Sequence, residues 1–180
     1  MHIDGFKIFE LIIMNKPKQL TFPWNKKNKA SFDHFFFEET NQQIKEALKA
    51  EDDLFMCGVK GSGKTFLLQS TCNFYSIIQK TSVYIPIQEA IKFGTNFIDS
   101  LEGQDVICLD DIDLIATNKD WEIAIFNLIN NCLVSNCRLI FSSSINPSSI
   151  NFELNDLRSR IKKINHIEVY TVSDNKLSDA

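Results

Sequence analysis

The chain has 180 residues, of which 44% are hydrophobic, and its formal net charge is −4. This length predicts one domain of ordinary size, and the hydrophobic fraction is sufficient for a sizeable buried core. The negative net charge argues against broad, nonspecific nucleic-acid binding through bulk charge, although a local basic patch is still compatible with it. No apolar run in the sequence reaches the roughly 20 residues that a transmembrane helix needs, so we expect no contact with a membrane.

The five cysteines show neither the C-x-x-C spacing of a redox motif nor the spacing of a zinc site. They are Cys57, Cys72, Cys108, Cys132 and Cys137. Most of them lie in apolar runs, so we expect buried, reduced thiols in a cytoplasmic protein, with neither disulfides nor metal ligation.

The predicted elements begin after an N-terminal arm, residues 1–30, and form an α/β domain over residues 31–172, followed by a short tail over residues 173–180. The predicted strands are residues 53–58, 81–87, 105–111, 137–144 and 166–172. The predicted helices are residues 64–75, 89–102, 120–134 and 155–161, the second of which is weakened by Gly94. Strands that alternate with helices predict a mostly parallel sheet covered on both faces, with ligands bound beyond the C-terminal ends of the strands.

The segment GVKGSGKT, between the first predicted strand and helix, fits the phosphate-binding pattern G-x-x-x-x-G-K-[ST]. Glycines let the backbone curl so that N–H groups point at phosphate oxygens, and the N-terminus of the helix adds a positive field. Lys64 would supply a positive charge to the β- and γ-phosphates, and the Thr65 hydroxyl would bind Mg²⁺. The predicted ADP- or ATP-binding residues here are Gly58, Val59, Lys60, Gly61, Ser62, Gly63, Lys64 and Thr65.

Polar side chains follow two later strands at the same predicted sheet edge. Asp110 ends the run VICLD and is the predicted carboxylate partner of Mg²⁺ beside Thr65. Asp111 can orient an attacking water, or alternatively act as a helix N-cap or a solvated carboxylate. In FSSSINP, Ser144 is the side chain that we expect to reach the γ-phosphate or water, with Ser143 as the alternative.

Several segments, in their order and spacing, resemble the AAA+ module of the DnaA family, and most closely the small Hda-type regulators within it. These segments are GVKGSGKTFLLQS, VICLDDID, WEIAIFNLIN and DLRSR. Residues 31–48 also resemble the family pattern T-F-x-x-F-x-x-G-x-x-N, which borders the adenine pocket in the family. Phe32, Phe35 and Asn41 match this pattern, whereas Glu38 stands where the family has glycine. In the next predicted helix, the sequence resembles the Hda form at four positions: Trp121, Glu122, Phe126 and Asn130.

The resemblance implies a fold and two binding roles. The fold is an AAA+ P-loop three-layer α/β/α sandwich with a parallel five-stranded sheet. Arg160 matches the family's arginine finger, which acts in trans on a neighbour's nucleotide. Arg158 is the weaker candidate for this role. The alternative for Arg160 is a surface ion pair with Asp156 or Glu153. The peptide QLTFPW resembles the segment with which Hda-type proteins bind the DNA polymerase sliding clamp; its residues are Gln19, Leu20, Phe22, Pro23 and Trp24. The alternative is an N-terminal strap packed on the domain.

The pattern departs from the family after the last predicted strand. Only VSDNKLSDA resembles the opening of the family's helical lid, so we expect the lid to be missing and nucleotide binding to be weak. No helix-turn-helix pattern is present, and we expect no direct sequence-specific DNA binding. The sequence thus predicts an Hda-like regulator that binds the clamp and promotes hydrolysis of DnaA-bound ATP, with weak or no ATPase activity of its own. The alternatives are a catalytically inactive clamp- or DnaA-binding adaptor and a helicase-loader-type ATPase.

Overall fold

The computed structural model describes residues 30–35, 39–99 and 101–171. Its strands are β1 (Leu54–Cys57), β2 (Ser82–Pro86), β3 (Val106–Asp110), β4 (Arg138–Ser143) and β5 (Asn165–Glu168). Its α-helices are α1 (Glu39–Lys49), α2 (Lys64–Ile77), α3 (Ile87–Ala90), α4 (Lys119–Ser135) and α5 (Asn155–Lys163). Short 3₁₀ turns lie at Phe32–His34, Ile91–Phe93, Leu101–Gly103, Ile112–Ile115 and Pro147–Ser149.

All five strands are parallel and form one sheet in the order β2-β3-β4-β1-β5. The predicted five-stranded parallel sheet is therefore confirmed. The carboxyl ends of β3, β4 and β1 lie side by side, with Cys57 opposite Ser143 and Leu109 opposite Phe141. The segments that follow these three strands consequently meet at one edge of the sheet, where parallel α/β proteins bind their ligands.

Helices cover both faces of the sheet because successive strand residues point to opposite sides. In β1, Leu54 and Met56 pack with side chains of α1 and α2, whereas Phe55 and Cys57 belong to a cluster with side chains of α4 and α5. The members from α1 and α2 are Ile44, Leu48, Leu67, Leu68 and Tyr75. Those from α4 and α5 are Trp121, Ile125, Leu128, Ile129, Cys132, Leu157 and Ile161. These two cores give the predicted three-layer arrangement.

The predicted helix over residues 89–102 is wrong as a continuous element. Helix α3 is only one turn long and continues as a 3₁₀ turn that ends at Phe93. Gly94 then has φ of 76°, a left-handed conformation that helices do not accommodate and that glycine adopts at no steric cost. The chain turns there and makes a further short 3₁₀ turn, Leu101–Gly103, before β3.

The structure describes all of the cysteines but neither chain end. All five cysteines are free thiols; four are buried and Cys72 is partly exposed. Within the described residues, no helix is both long and apolar enough to cross a membrane. The predicted clamp-binding peptide and the tail over residues 173–180 lie outside the described residues.

Candidate nucleotide-binding site

The loop between β1 and α2 requires glycine at both of its ends. A Cβ on Gly58 would lie 2.3 Å from the carbonyl oxygen of Val169, which follows β5. Gly63, which precedes α2, has φ of 96°, and a Cβ there would lie 2.6 Å from the ring of Phe35. The loop is therefore enclosed by the edge of the sheet on one side and by an aromatic ring on the other.

Lys64 places its ammonium group against the main chain of this loop. Its side chain is buried, and Nζ donates to the carbonyl oxygens of Gly58, at 2.6 Å, and Val59, at 3.1 Å. The hydroxyl of Ser62 is also buried and has no hydrogen-bond partner among the described residues. A positive charge, an orphaned hydroxyl and the N-terminus of a 14-residue helix meet here, and these donors fit the oxygens of a phosphate.

Asp110 lies at the end of β3 and accepts hydrogen bonds from three hydroxyl groups. Its Oδ2 accepts from Thr65 Oγ1 at 2.7 Å and from the Tyr84 hydroxyl at 2.6 Å, and its Oδ1 accepts from Ser142 Oγ. Burial and the adjacent negative charge of Asp110 raise the pKa of Tyr84, so its hydroxyl remains a donor. The structure thus brings together Thr65 and Asp110, the pair that the sequence predicts for Mg²⁺. A hydroxyl with a single carboxylate fits an ion that completes its coordination shell with phosphates and water.

Asp111 adopts a left-handed conformation, with φ of 57°, directly after Asp110. Its main-chain N–H donates to Ser142 Oγ at 2.9 Å, and its side chain makes no capping bond although it precedes a 3₁₀ turn. Burial, followed by the negative charges of Asp110 and Asp113, raises the pKa of Asp111. This half-buried carboxylate lines the cavity beside the loop, where it can accept a hydrogen bond from water.

The two serines at the end of β4 differ in what they face. Ser144 lines the cavity, and its Oγ donates to Asp113 Oδ2 at 2.5 Å. Ser143 is buried, and its Oγ accepts from the main-chain N–H of Ile145 at 3.1 Å. The geometry favours Ser144 over Ser143 as the residue that reaches a bound group.

Some of these residues line one cavity of about 730 Å³, which lies within the size range of ligand pockets in general. Its lining includes part of the loop, the start of α2, and the side chains of Asp111, Asp113 and Ser144. The roles of Tyr84 and Asp113 were not predicted from the sequence. Asp113 could have been recognised as the third acidic residue of DDID, whereas Tyr84 looks like an ordinary strand residue.

The two arginines of α5 have different surroundings. Arg158 is partly buried, and its guanidinium donates to the carbonyl oxygen of Phe152. Arg160 is exposed, is not among the residues that line the cavity, and makes no hydrogen bond or salt bridge with any residue that the structure describes. The alternative ion pair with Asp156 or Glu153 is not formed, so Arg160 is available to another molecule.

The parallel sheet with helices on both faces, together with its glycine-rich loop, defines an AAA+ domain of the P-loop class. The sequence model of the bacterial DnaA ATPase domain matches residues 26–167, and the chain therefore belongs to that family. An uncharacterized protein of Haemophilus influenzae is 35% identical over 150 residues, which is 80% of this chain and 65% of the relative.

Two solved structures have the same fold. AMPPCP-bound DnaA from Aquifex aeolicus superposes with a TM-score of 0.70 at 21% identity, covering 84% of this chain and 55% of that chain. The DnaC helicase loader superposes with a TM-score of 0.61 at 16% identity, covering 78% of this chain and 97% of that chain. The chain thus spans just under two thirds of its curated relative and about half of this DnaA chain.

Proposed function

We propose that the domain binds ADP or ATP with Mg²⁺ in the cavity beside residues 58–65. The main-chain N–H groups of the loop and Lys64 would bind the phosphates, while Thr65 and Asp110 would hold Mg²⁺. Asp111 and Ser144 would face water and the γ-phosphate. Support comes from the cradle closed by Phe35 and Val169, from the buried donors in it, and from the AMPPCP bound by the DnaA of Aquifex aeolicus.

We further propose that the protein is an Hda-type regulator of replication initiation, which uses Arg160 in trans on ATP bound to DnaA. The observation that carries this proposal is the contrast between two arginines on one helix. Arg158 is bonded to its own chain, whereas Arg160 is exposed and has no described partner. A guanidinium is always charged, and its planar fork of donors matches phosphate oxygens. Supplied by a neighbour, it stabilises the charge that develops on the γ-phosphate.

We also propose that the N-terminal peptide binds the DNA polymerase sliding clamp. The proposed contact residues are Gln19, Leu20, Phe22, Pro23 and Trp24. An extended peptide can insert alternate apolar side chains into pockets of its partner while polar groups fix the register. Such a tether would raise the local concentration of Arg160 near an initiator on the same DNA.

The test is hydrolysis of labelled ATP that has been preloaded on DnaA, with the clamp on DNA and this protein added. Wild type should accelerate hydrolysis, and Arg160→Ala should remove the acceleration. Lys163→Ala is the matched control, because Lys163 is an exposed cation on the same helix, and this variant should stay active. If Arg160→Ala is as active as wild type, the trans-acting assignment is wrong.

The rival functions give different results. A catalytically inactive adaptor would bind the clamp or DnaA and leave ATP hydrolysis at its basal rate. A helicase-loader-type ATPase would bind the replicative helicase; the likeness to the DnaC loader, at 16% identity, concerns the fold alone and does not favour this reading.

A further inference from the structure

Glu122, in the first turn of α4, is a buried carboxylate that the proposed chemistry does not use. Its side chain is 1% exposed. Its Oε1 accepts from the main-chain N–H groups of Thr117, at 2.9 Å, and Glu153, at 3.1 Å, and its Oε2 accepts from that of Leu154 at 2.7 Å. A buried carboxylate is costly unless it is fully hydrogen-bonded, and this one is bonded to three main-chain donors from two separate segments.

One of these segments is the start of α5, the helix that carries Arg160. The N-cap residue of α5 is Leu154, which has no side-chain oxygen and makes no side-chain capping bond. Helices usually begin at Ser, Thr, Asp or Asn, whose side chains accept such bonds. Glu122 accepts the N–H of Leu154 much as the glutamate of a capping box accepts the N-cap N–H. Here, however, the glutamate belongs to a different helix and ties the start of α5 to α4.

The other segment is the loop before α4. Thr117 has φ of 68°, which is a strained conformation for a β-branched residue. Its N–H is bonded to the same carboxylate oxygen that accepts from Glu153. The Glu122 side chain therefore fixes the loop before its own helix and the segment before α5 with respect to each other.

The remaining contacts of α5 leave its orientation dependent on this connection. Leu157 and Ile161 are fully buried in the core that α4 also joins, and Arg158 is bonded to Phe152 just upstream. Apolar packing resists separation of the two helices, but it is less directional than hydrogen bonds. The bonds to Glu122 fix the N-terminus of α5, which lies less than about two helical turns before Arg160, and so fix where Arg160 projects.

We propose that Glu122 is the positioning residue for Arg160, holding α5 in the orientation from which the guanidinium reaches the ATP of a bound DnaA. This inference rests on the proposed function of Arg160. A displacement of about 1 Å at a reacting group can lower a rate on the order of 100-fold. Glu122 itself touches no nucleotide and acts only through the helix that it holds.

The first test is Glu122→Gln in the assay with DnaA-bound ATP. Glutamine keeps the size of the side chain but places an NH₂ donor against a main-chain N–H. We expect the hydrolysis rate at saturating protein to fall about tenfold or more, with an unchanged concentration for half-maximal effect. The double variant E122Q/R160A should be no slower than R160A alone. A purely structural role would instead weaken binding of DnaA and make the double variant worse, which would overturn the proposal.

The second test compares two substitutions of Leu154 and remains valid if E122Q does not fold. Leu154 has φ of −75°, which a proline ring accepts. L154P removes the N–H that Glu122 binds, whereas L154A removes the side chain and keeps the N–H. We expect L154P to lose most of the acceleration of DnaA-bound ATP hydrolysis, and L154A to retain most of it. Equal rates in the two variants would overturn the proposal.

The R160A variant separates this inference from the proposed function. If R160A promotes hydrolysis of DnaA-bound ATP as well as wild type does, the proposed function is wrong. The proposed positioning of Arg160 is then wrong as well. If R160A is inactive while E122Q and L154P keep the full rate, only the positioning role of Glu122 is wrong.

Discussion

Replacement of Lys64 by methionine should weaken binding of Mg-ADP about 30-fold. Methionine keeps most of the buried stem and removes the ammonium. Two unit charges about 4 Å apart attract by about 4 kcal/mol at an effective dielectric constant of about 20. To reach a phosphate, Nζ must leave the carbonyl oxygens of Gly58 and Val59, which lie at 2.6 and 3.1 Å, at a cost of about 1 kcal/mol each. About 2 kcal/mol remains, which corresponds to about 30-fold in Kd.

The assay is titration calorimetry of the full chain with Mg-ADP, supported by the shift in thermal midpoint that the nucleotide causes. Lys162→Met is the matched control, because Lys162 is exposed in the last turn of α5, does not line the cavity, and contributes a screened charge of small effect. Its Kd should stay within about threefold of wild type. If Lys64→Met binds as tightly as wild type, or if Lys162→Met loses as much, the assignment of the phosphate site is refuted.

Three further predictions concern the sheet edge and the arm. At neutral pH and without nucleotide, Asp111→Asn should raise the midpoint of thermal unfolding. The reason is that burial and neighbouring carboxylates raise the pKa of Asp111, while Asn tolerates the left-handed backbone at this position. The gain should be full above that raised pKa and vanish below the ordinary aspartate range near pH ~4; a pH-independent gain would contradict the cause. Gly58→Ala should lower the free energy of unfolding in urea by about 1–3 kcal/mol or more, because the new Cβ would lie 2.3 Å from a carbonyl oxygen. Gly103→Ala is the control; its Cβ would meet nothing within 4 Å, and its stability should be unchanged. Changing Leu20 and Phe22 to alanine should weaken clamp binding with no change in thermal midpoint; a lower midpoint with full clamp affinity would favour the packing strap.

The sequence predicted the sheet and the glycine-rich turn between β1 and α2 because both depend on local patterns. Apolar runs bounded by glycine or aspartate mark the strands, and the periodicity of α4 placed Trp121, Ile125 and Leu128 on its buried side. The helix over residues 89–102 was mispredicted because one glycine in a left-handed conformation ended a pattern that otherwise favoured a helix. The assigned roles of Asp111, Ser144 and Arg160 remain predictions.

The missed features depend on residues that are far apart in sequence. Arg138 is 5% exposed, and it donates to the carbonyl oxygens of Ala47, Leu48 and Asp52, which end and follow α1. A charge that opens an apolar strand looks solvent-exposed until the fold brings these acceptors to it. The bonds of Glu122 to the segment before α5 were hidden for the same reason, since no local pattern pairs a glutamate with main-chain donors about 30 residues later.

The most direct test of the central claim follows two nucleotides at once. DnaA carries ATP with one label, this protein carries ATP with another, and both hydrolysis rates are measured with the clamp on DNA for wild type and Arg160→Ala. The account predicts that Arg160→Ala returns hydrolysis of the DnaA-bound ATP to its basal rate and leaves the slow turnover at the protein's own site unchanged. An Arg160→Ala variant that slows turnover at its own site, or that leaves hydrolysis of the DnaA-bound ATP unchanged, would contradict it.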